Sequence, residues 1–366
     1  MKITGIEIET IHVTEHVDWT FVHINTDKGI RGLGELNPSV RRADELGTLR
    51  QMGETLIGRD PRQIEKLHAL FDPASLDRIG FRALSALDQA FWDILGKSLD
   101  APVHALLGGA SRDEIRLYAN INRATRGDRS PEAFARNATA AVSDGFDAIK
   151  LAPFDGLARG IDKAEDAADG IACMQAVRQA IGPNVDLLID CHSHFTAKGA
   201  LAVAKALADL DLFWFEEPVP DEDIAGYLEV KAKSGLPIAG GESRMHRRGF
   251  WQACNDNILD IAMPDVTIVG GICELKKVAA MAEARGIRTA PHGPFGPVTT
   301  ASSVHAMAAH PAFAILEYAW GEVPWRPTLT LPNEKISNGR ITLPQTPGLG
   351  IELDQKIVAA HRIAIT

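Results

Sequence analysis

Apolar positions recur with two different periods along the chain, and the switches between them divide it. Ile3, Ile6, Ile8 and Ile11, followed by TFVHINTDKGIRGLGE, read as strands and a hairpin in which Asp27, Lys28 and Gly29 supply the turn. From about residue 44 to 107 the period lengthens. Leu84, Leu87, Phe91 and Ile94 lie at steps of three, four and three, which puts them on one helical face. The segment LLGGASRDE, with Gly108, Gly109 and Ser111, interrupts the pattern and marks a boundary. Beyond it eight apolar runs alternate with Ala-rich helical stretches: IRLYANIN, DAIKLAP, DLLIDCH, LFWFEEP, PIAGGES, LDIAMPD, RTAPHGP and AILEYA. Strand and helix in strict alternation predict an α/β fold with a parallel sheet and helical crossovers, which at this length closes most economically into a (β/α) barrel. An open doubly wound sheet is the rival. No GxGxxG follows the first of these runs and no P-loop occurs anywhere, so the nucleotide-binding versions of that rival lack their phosphate cradle. After residue 326 the rhythm stops, and Pro/Gly-rich sequence leads to PGLGIELD. The expected organisation is an α+β unit over 1–112, a barrel over 113–325, and a segment over 326–366 that packs back on the first unit.

Composition narrows the partners. With 366 residues, 45% hydrophobic and 23% charged, the chain can bury a large core. Its net charge of −10 repels the phosphate backbone, so nucleic acid is not an expected partner. Cys173, Cys191, Cys254 and Cys273 are scattered, with no CxxC pair, which suggests reduced thiols in a cytoplasmic protein; Cys191 and the Trp, Phe and Met residues are assigned to the core. The amino terminus alternates apolar and polar residues and reads as a strand, not a signal peptide. Nowhere do 18 consecutive apolar residues occur, so no membrane span is expected.

The informative residues are those that end the runs. Asp190 closes LLID, Glu216 closes WFE and Glu242 follows PIAGG, at spacings of 26 and 26 residues, one βα unit each. In a barrel these carboxylates converge at the C-terminal face, on strands only ~5 Å apart, and would repel one another unless a cation intervened. An all-oxygen set of this kind favours Mg²⁺. His192 is two residues beyond Asp190, a spacing that on an extended strand sends both side chains the same way, beside the metal. His292 ends the seventh run and Asp265 the sixth, so the carboxylate can fix the imidazole tautomer and leave the other nitrogen to take a proton. Glu317, ending the eighth, could donate a hydrogen bond to an anion forming on the substrate. Lys150, ending the second, could pair with a substrate carboxylate or an enolate oxygen. His194 is left unassigned.

These residues resemble the mandelate racemase subgroup of the enolase superfamily. FWDILGKSLDAPVHALLGG is similar to the signature of the family's capping domain, and FEEP, GGES and MPD to its barrel-strand ends. The resemblance implies a modified (β/α)7β TIM-type barrel with a capping domain built from the amino-terminal region and the carboxy-terminal tail, and a histidine base working with Mg²⁺. Within the subgroup, DCH at 190–192, GGICE at 270–274, APHGPFGP at 290–297 and PGLGIELD at 347–354 are similar to galactonate dehydratases. That similarity implies His192 as the general acid toward the 3-hydroxyl of an acid sugar, His292 with Asp265 as the base, Glu317 on the enolate, and a homo-oligomer. Racemases and cycloisomerases of the family often carry KxK on the second strand; here the second position is Ala152. The expected activity is a Mg²⁺-dependent acid sugar dehydratase. The alternatives are a racemase or epimerase in which Lys150 opposes His292, and a non-catalytic barrel that only binds a metal-carboxylate ligand.

Overall fold

The computed structural model describes residues 1–37 and 42–363. Strands β1 (Ile3–Thr14), β2 (Val17–Thr26) and β3 (Arg31–Leu36) form an antiparallel sheet in that order, with Gly29 at φ 73° in the turn before β3. Helices α1 (Arg42–Glu54), α2 (Ile64–His68), α3 (Arg78–Leu99) and α4 (Val103–Leu106) follow. The Asp77 side chain opens α3 by accepting from Gly80 N at 2.9 Å. Leu84, Leu87, Phe91 and Ile94 of α3 are buried with Val22, Ile24 and Leu36 of the sheet, on the face their spacing predicts. Each such side chain contributes about 1.5–3 kcal/mol by leaving water. On β3 the period of two separates two jobs. Gly32 and Gly34 face α3, where an added Cβ would stand 2.3 Å from Ala90 O and 2.0 Å from Ala86 O, an approach only glycine allows. Leu33 and Glu35 face the opposite way, and Leu33 joins Ile11, Val13, Trp19 and Phe21 in the barrel's own core.

The barrel contains β4 (Glu114–Asn120), α5 (Pro131–Ser143), β5 (Ala148–Leu151), α6 (Ala168–Ile181), β6 (Asp186–Asp190), α7 (Ala197–Ala206), β7 (Leu212–Glu216), α8 (Ile224–Ser234), β8 (Ile238–Gly240), α9 (His246–Asn255), β9 (Ile261–Ala262), α10 (Gly271–Glu283), β10 (Arg288–Thr289), α11 (Pro297–Ala308) and β11 (Leu316–Ala319). The eight strands match the eight apolar runs one for one. They pair in parallel in the order β10-β9-β8-β7-β6-β5-β4-β11, and Thr289 bridges β10 to Phe313, just before β11, on the remaining side. Seven strands are followed by a helix and β11 is not, the (β/α)7β pattern.

Alternation along these strands builds the floor of the site. Ile115, Leu117, Ile149, Leu187, Ile189 and Phe215 belong to the core beneath the helices. Tyr118, Ala148, Leu188, Trp214 and Ile315 form a separate apolar cluster inside the ring. Two residues further along each of those strands stand Asn120, Lys150, Asp190, Glu216 and Glu317, so the same period lifts a polar layer onto the apolar one.

The tail contributes β12 (Thr330–Leu331), β13 (Arg340–Thr342), β14 (Glu352–Leu353) and α12 (Gln355–His361). Strand β13 pairs with β4, while Leu349 N donates to Asp93 Oδ1 at 2.8 Å and Ile363 N to Thr10 O at 3.0 Å, so the segment touches the barrel and the amino-terminal unit alike. All four cysteines are free and buried. Trp251 departs from its core assignment: it is 63% exposed on the outer face of α9. Among the described residues, no helix is long and apolar enough to cross a membrane.

Candidate active site

The polar layer holds one buried cation among acids. Lys150 Nζ lies 2.9 and 3.1 Å from the two oxygens of Glu216, 3.1 Å from Glu317 Oε1 and 3.5 Å from Asp190 Oδ2. Burial works against its charge, but Glu216 and Glu317, with Asp190, outweigh that and hold the ammonium well above the usual lysine range. Asp190 and Glu216 face each other across β6 and β7, and Trp214 Nε1 donates to Glu216 Oε2 at 3.0 Å. For Glu216 burial is the larger effect; with Asp190 and Glu242 nearby it raises the carboxyl well above its ordinary value despite Lys150.

Asp190, His192 and Glu242 bring one ligand atom each within 4.8 Å of one another. His192 Nε2 is 2.9 Å from Asp190 Oδ2, as its proximity in sequence predicts, but by a different route. Strand β6 ends at Asp190, and His192 and Ser193 take left-handed conformations, φ 42° and 59°, where an extended strand is expected. The turn is held by His192 N donating to Asp190 Oδ1 at 3.0 Å. Glu217, at φ 40°, carries the same strain at the end of β7, and such residues concentrate where the surrounding structure must overrule the backbone. The other ring nitrogen, Nδ1, lies 2.5 Å from Asp155 Oδ1, and Arg129 Nη2 holds Asp155 Oδ2 at 3.0 Å. Asp190 above all, with Asp155, pushes His192 up to about 12 against its burial.

The second imidazole is built in the same manner. His292 Nδ1 is 2.8 Å from Asp265 Oδ2, and Asp265 Oδ1 accepts from Thr267 N and Thr267 Oγ1, both at 2.7 Å. His292 Nε2 lies 3.2 Å from Glu242 Oε2, an ion-pair approach without hydrogen-bond geometry, and 3.8 Å from Glu317 Oε2. Burial lowers the His292 pKa, but Glu242 and Glu317, with Asp265, carry it up to about 10. Glu317 differs from expectation. Both its oxygens accept, from Asn120 Nδ2 at 2.8 Å and Gly293 N at 2.9 Å, in addition to the Lys150 pair. Burial alone would raise its pKa; Lys150 and His292 pull it down to about 2. As an ionised carboxylate it has no proton to donate, so the donor role assigned to it requires a proton transfer first.

A family profile described as enolase C-terminal domain-like matches residues 133–357, and the mandelate racemase/muconate lactonizing enzyme N-terminal domain matches 6–108. The chain belongs to the enolase superfamily. Among its relatives are a D-galactonate dehydratase from Variovorax paradoxus, 35% identical over 99% of this chain and 95% of that protein, and a D-galactarolactone cycloisomerase from Agrobacterium fabrum, 33% identical over 99% of both. A solved mandelate racemase/muconate lactonizing enzyme from Jannaschia sp. superposes with a TM-score of 0.91 at 32% identity, covering 100% of this chain and 99% of that one. In this pocket the described residues that could hold a metal ion together are Asp190, His192 and Glu242, whereas Glu216, expected as the third carboxylate ligand, accepts instead from Lys150 and Trp214. Acids outnumber bases in the pocket, and Glu242 Oε2 is buried without a hydrogen-bond donor.

A second cluster, His68, Asp88 and Cys273, lies between α2, α3 and α10. Its atoms serve one another: Asp88 accepts from Cys273 N at 3.2 Å and lies 2.7 Å from His68 Nε2, while Cys273 Sγ donates to Glu65. It is a joint, not a pocket. Sequence reasoning overlooked Asp155, Arg129 and Asn120. Asp155 closes LAPFD just past β5, and its place at a strand end was the available signal.

Proposed function

We propose that the chain is a Mg²⁺-dependent acid sugar dehydratase, taking the proton α to the carboxylate of an aldonate and expelling the 3-hydroxyl to leave a 2-keto-3-deoxy acid. The chain is a lyase in this reading. Asp190, Glu216 and Glu242 would hold the ion, which when bound supplies Lewis-acid stabilisation of the negative charge that develops on the substrate carboxylate. The observation that carries the reading is a pair of imidazoles, each tied to its own aspartate, one beside Asp190 and the other beside Glu242. Glu242 is foremost among the acids that raise His292, and a cation held by that carboxylate would relieve this; the neutral imidazole would then receive the carbon-bound proton on Nε2 while Asp265 keeps the proton on Nδ1. His192 delivers a proton to the departing hydroxyl, which leaves as water, and the resulting enol tautomerises to the ketone. Each proton transfer is worth about 10²–10⁴-fold. Lys150 and Glu317 set the charge at the floor of the pocket, Lys150 toward the substrate carboxylate. The enzyme would act in the cytoplasm as a homo-oligomer, with residues 1–112 and 326–366 serving as the cap on the 113–325 barrel.

Epimerisation is less well supported. Three carboxylates hold Lys150 as an ammonium, which has no lone pair with which to take a proton opposite His292, and Ala152 occupies the place of the second lysine. The test is to incubate the protein with Mg²⁺ and a panel of C4 to C6 acid sugars in D₂O. A 2-keto-3-deoxy product from at least one aldonate is expected. Solvent deuterium entering C2 with the hydroxyl retained would replace dehydration by epimerisation, and no reaction across the panel would remove the substrate class.

A further inference from the structure

The backbone just after His292 is gripped by three buried charged side chains from three parts of the chain. Gly293 N donates to Glu317 Oε2 at 2.9 Å, Arg326 Nη1 donates to Phe295 O at 2.6 Å, and Gly296 N donates to Glu35 Oε1 at 2.6 Å. Glu35 Oε2 accepts from Val298 N at 3.1 Å and Thr299 N at 3.0 Å, the first turn of α11. Glu35, Glu317 and Arg326 are at most 2% exposed. Gly293 and Gly296 have no side chain to pack, so at these two positions the stretch is held through its backbone by these anchors. Phe295 passes that shape to the imidazole, packing edge-on against His292 with ring centroids 5.6 Å apart. Gly296 also makes room: a Cβ there would stand 2.7 Å from both Glu35 oxygens.

We propose that Glu35, on the amino-terminal sheet, is a positioning residue for His292: it anchors the 293–299 backbone across the joint between sheet and barrel and so holds the base at its working place. The proposal rests on reading His292 as the base. Both Glu35 oxygens face backbone N–H groups, and an amide in the same place must turn its NH₂ on at least one of them. Glu35→Gln therefore loses at least one anchor while keeping the side-chain volume. Displacements of about 1 Å at a reacting group cost about 100-fold in rate.

The experiment compares wild type, Glu35→Gln, Gly296→Ala and, as a control, Glu65→Gln, which breaks the Glu65–Lys277 pair of 2.8 Å elsewhere on the same joint. Amide hydrogen exchange is measured with and without Mg²⁺, and turnover with an aldonate carrying deuterium at C2. For Glu35→Gln we expect faster exchange confined to 293–299, kcat lowered about 10–100-fold with KM within about twofold, and a larger C2 isotope effect. Gly296→Ala should do the same, and it carries the test if Glu35→Gln does not fold. Glu65→Gln should change neither exchange at 293–299 nor the isotope effect. Unchanged exchange at 293–299 in both test variants overturns the proposal. So does loosening spread over the whole sheet, with a matching loss of rate in Glu65→Gln, since that marks a merely structural role. If wild type turns over no aldonate but Glu35→Gln still loosens only 293–299, the anchoring stands and the dehydratase reading falls.

Discussion

Asp265→Asn isolates the orientation of the base. Asp265 is fully buried, and its Oδ1 accepts two hydrogen bonds of 2.7 Å from Thr267, one of them from the backbone N–H. A backbone donor cannot turn around, so an asparagine here must direct its carbonyl oxygen to Thr267 and its NH₂ to His292 Nδ1. The opposite rotamer would set an NH₂ against a buried N–H, at a cost of about 1–3 kcal/mol for the donor left unsatisfied. With an NH₂ facing it, Nδ1 must accept, which places the ring proton on Nε2, the atom that has to receive the substrate proton. The base is then capped in its neutral form. Loss of the proton transfer should lower kcat by about 10²–10⁴-fold, or about 3–5 kcal/mol of barrel-bound rate enhancement. Semicarbazone formation from the 2-keto product measures the rate, C2 exchange in D₂O measures the base alone, and nitrogen NMR of the imidazole reads the tautomer. A variant that keeps kcat within about threefold, or whose ring proton stays on Nδ1, would refute the reasoning.

Lys150→Met leaves three buried carboxylates without their cation and should cost about 3–5 kcal/mol in urea unfolding; a loss below about 1 kcal/mol would mean the acids find other compensation. Mg²⁺ at about 100 times its dissociation constant should stabilise the fold by about 2.7 kcal/mol, and Glu242→Gln should remove most of that shift; an equal shift in the variant would place the ion elsewhere. His305 is buried against His104, its Nδ1 accepting from His104 N and its Nε2 donating to Leu349 O, and burial lowers its pKa to about 4. Because the unfolded chain takes up this proton first, its contribution is present above about pH 6.5 and falls away toward pH 4, by about 3 kcal/mol in full. His305→Gln should flatten the acid side of the stability profile between those limits, and an unchanged slope in denaturation at about pH 5 would contradict the assignment.

Much of the architecture could be read from local pattern. The eight runs from IRLYANIN to AILEYA became β4 to β11, and the three-four-three spacing of Leu84, Leu87, Phe91 and Ile94 became the buried face of α3. Both succeed because side-chain direction follows from backbone period alone. The same rule places Asp190, Glu216 and Glu317 above the apolar floor, since each stands two residues beyond an inward apolar residue, Leu188, Trp214 or Ile315. It failed at His192, because the strand stops at Asp190, two residues short of where the spacing argument carries it, and a left-handed turn does what extension was expected to do.

By itself the chain's order of residues set the repeating βα layout and which acids and imidazoles reach the mouth of the ring, because those properties depend on neighbours a few positions away. Partner choice was settled by packing: that Lys150 serves three carboxylates, that Asp155 takes the far nitrogen of His192, and that Glu35 reaches the backbone beyond His292. These contacts join residues 37 to 264 positions apart. No local period specifies such pairs; they arise only when the sheet, the barrel strands and the loops are brought to one place and each buried charge must find a partner there.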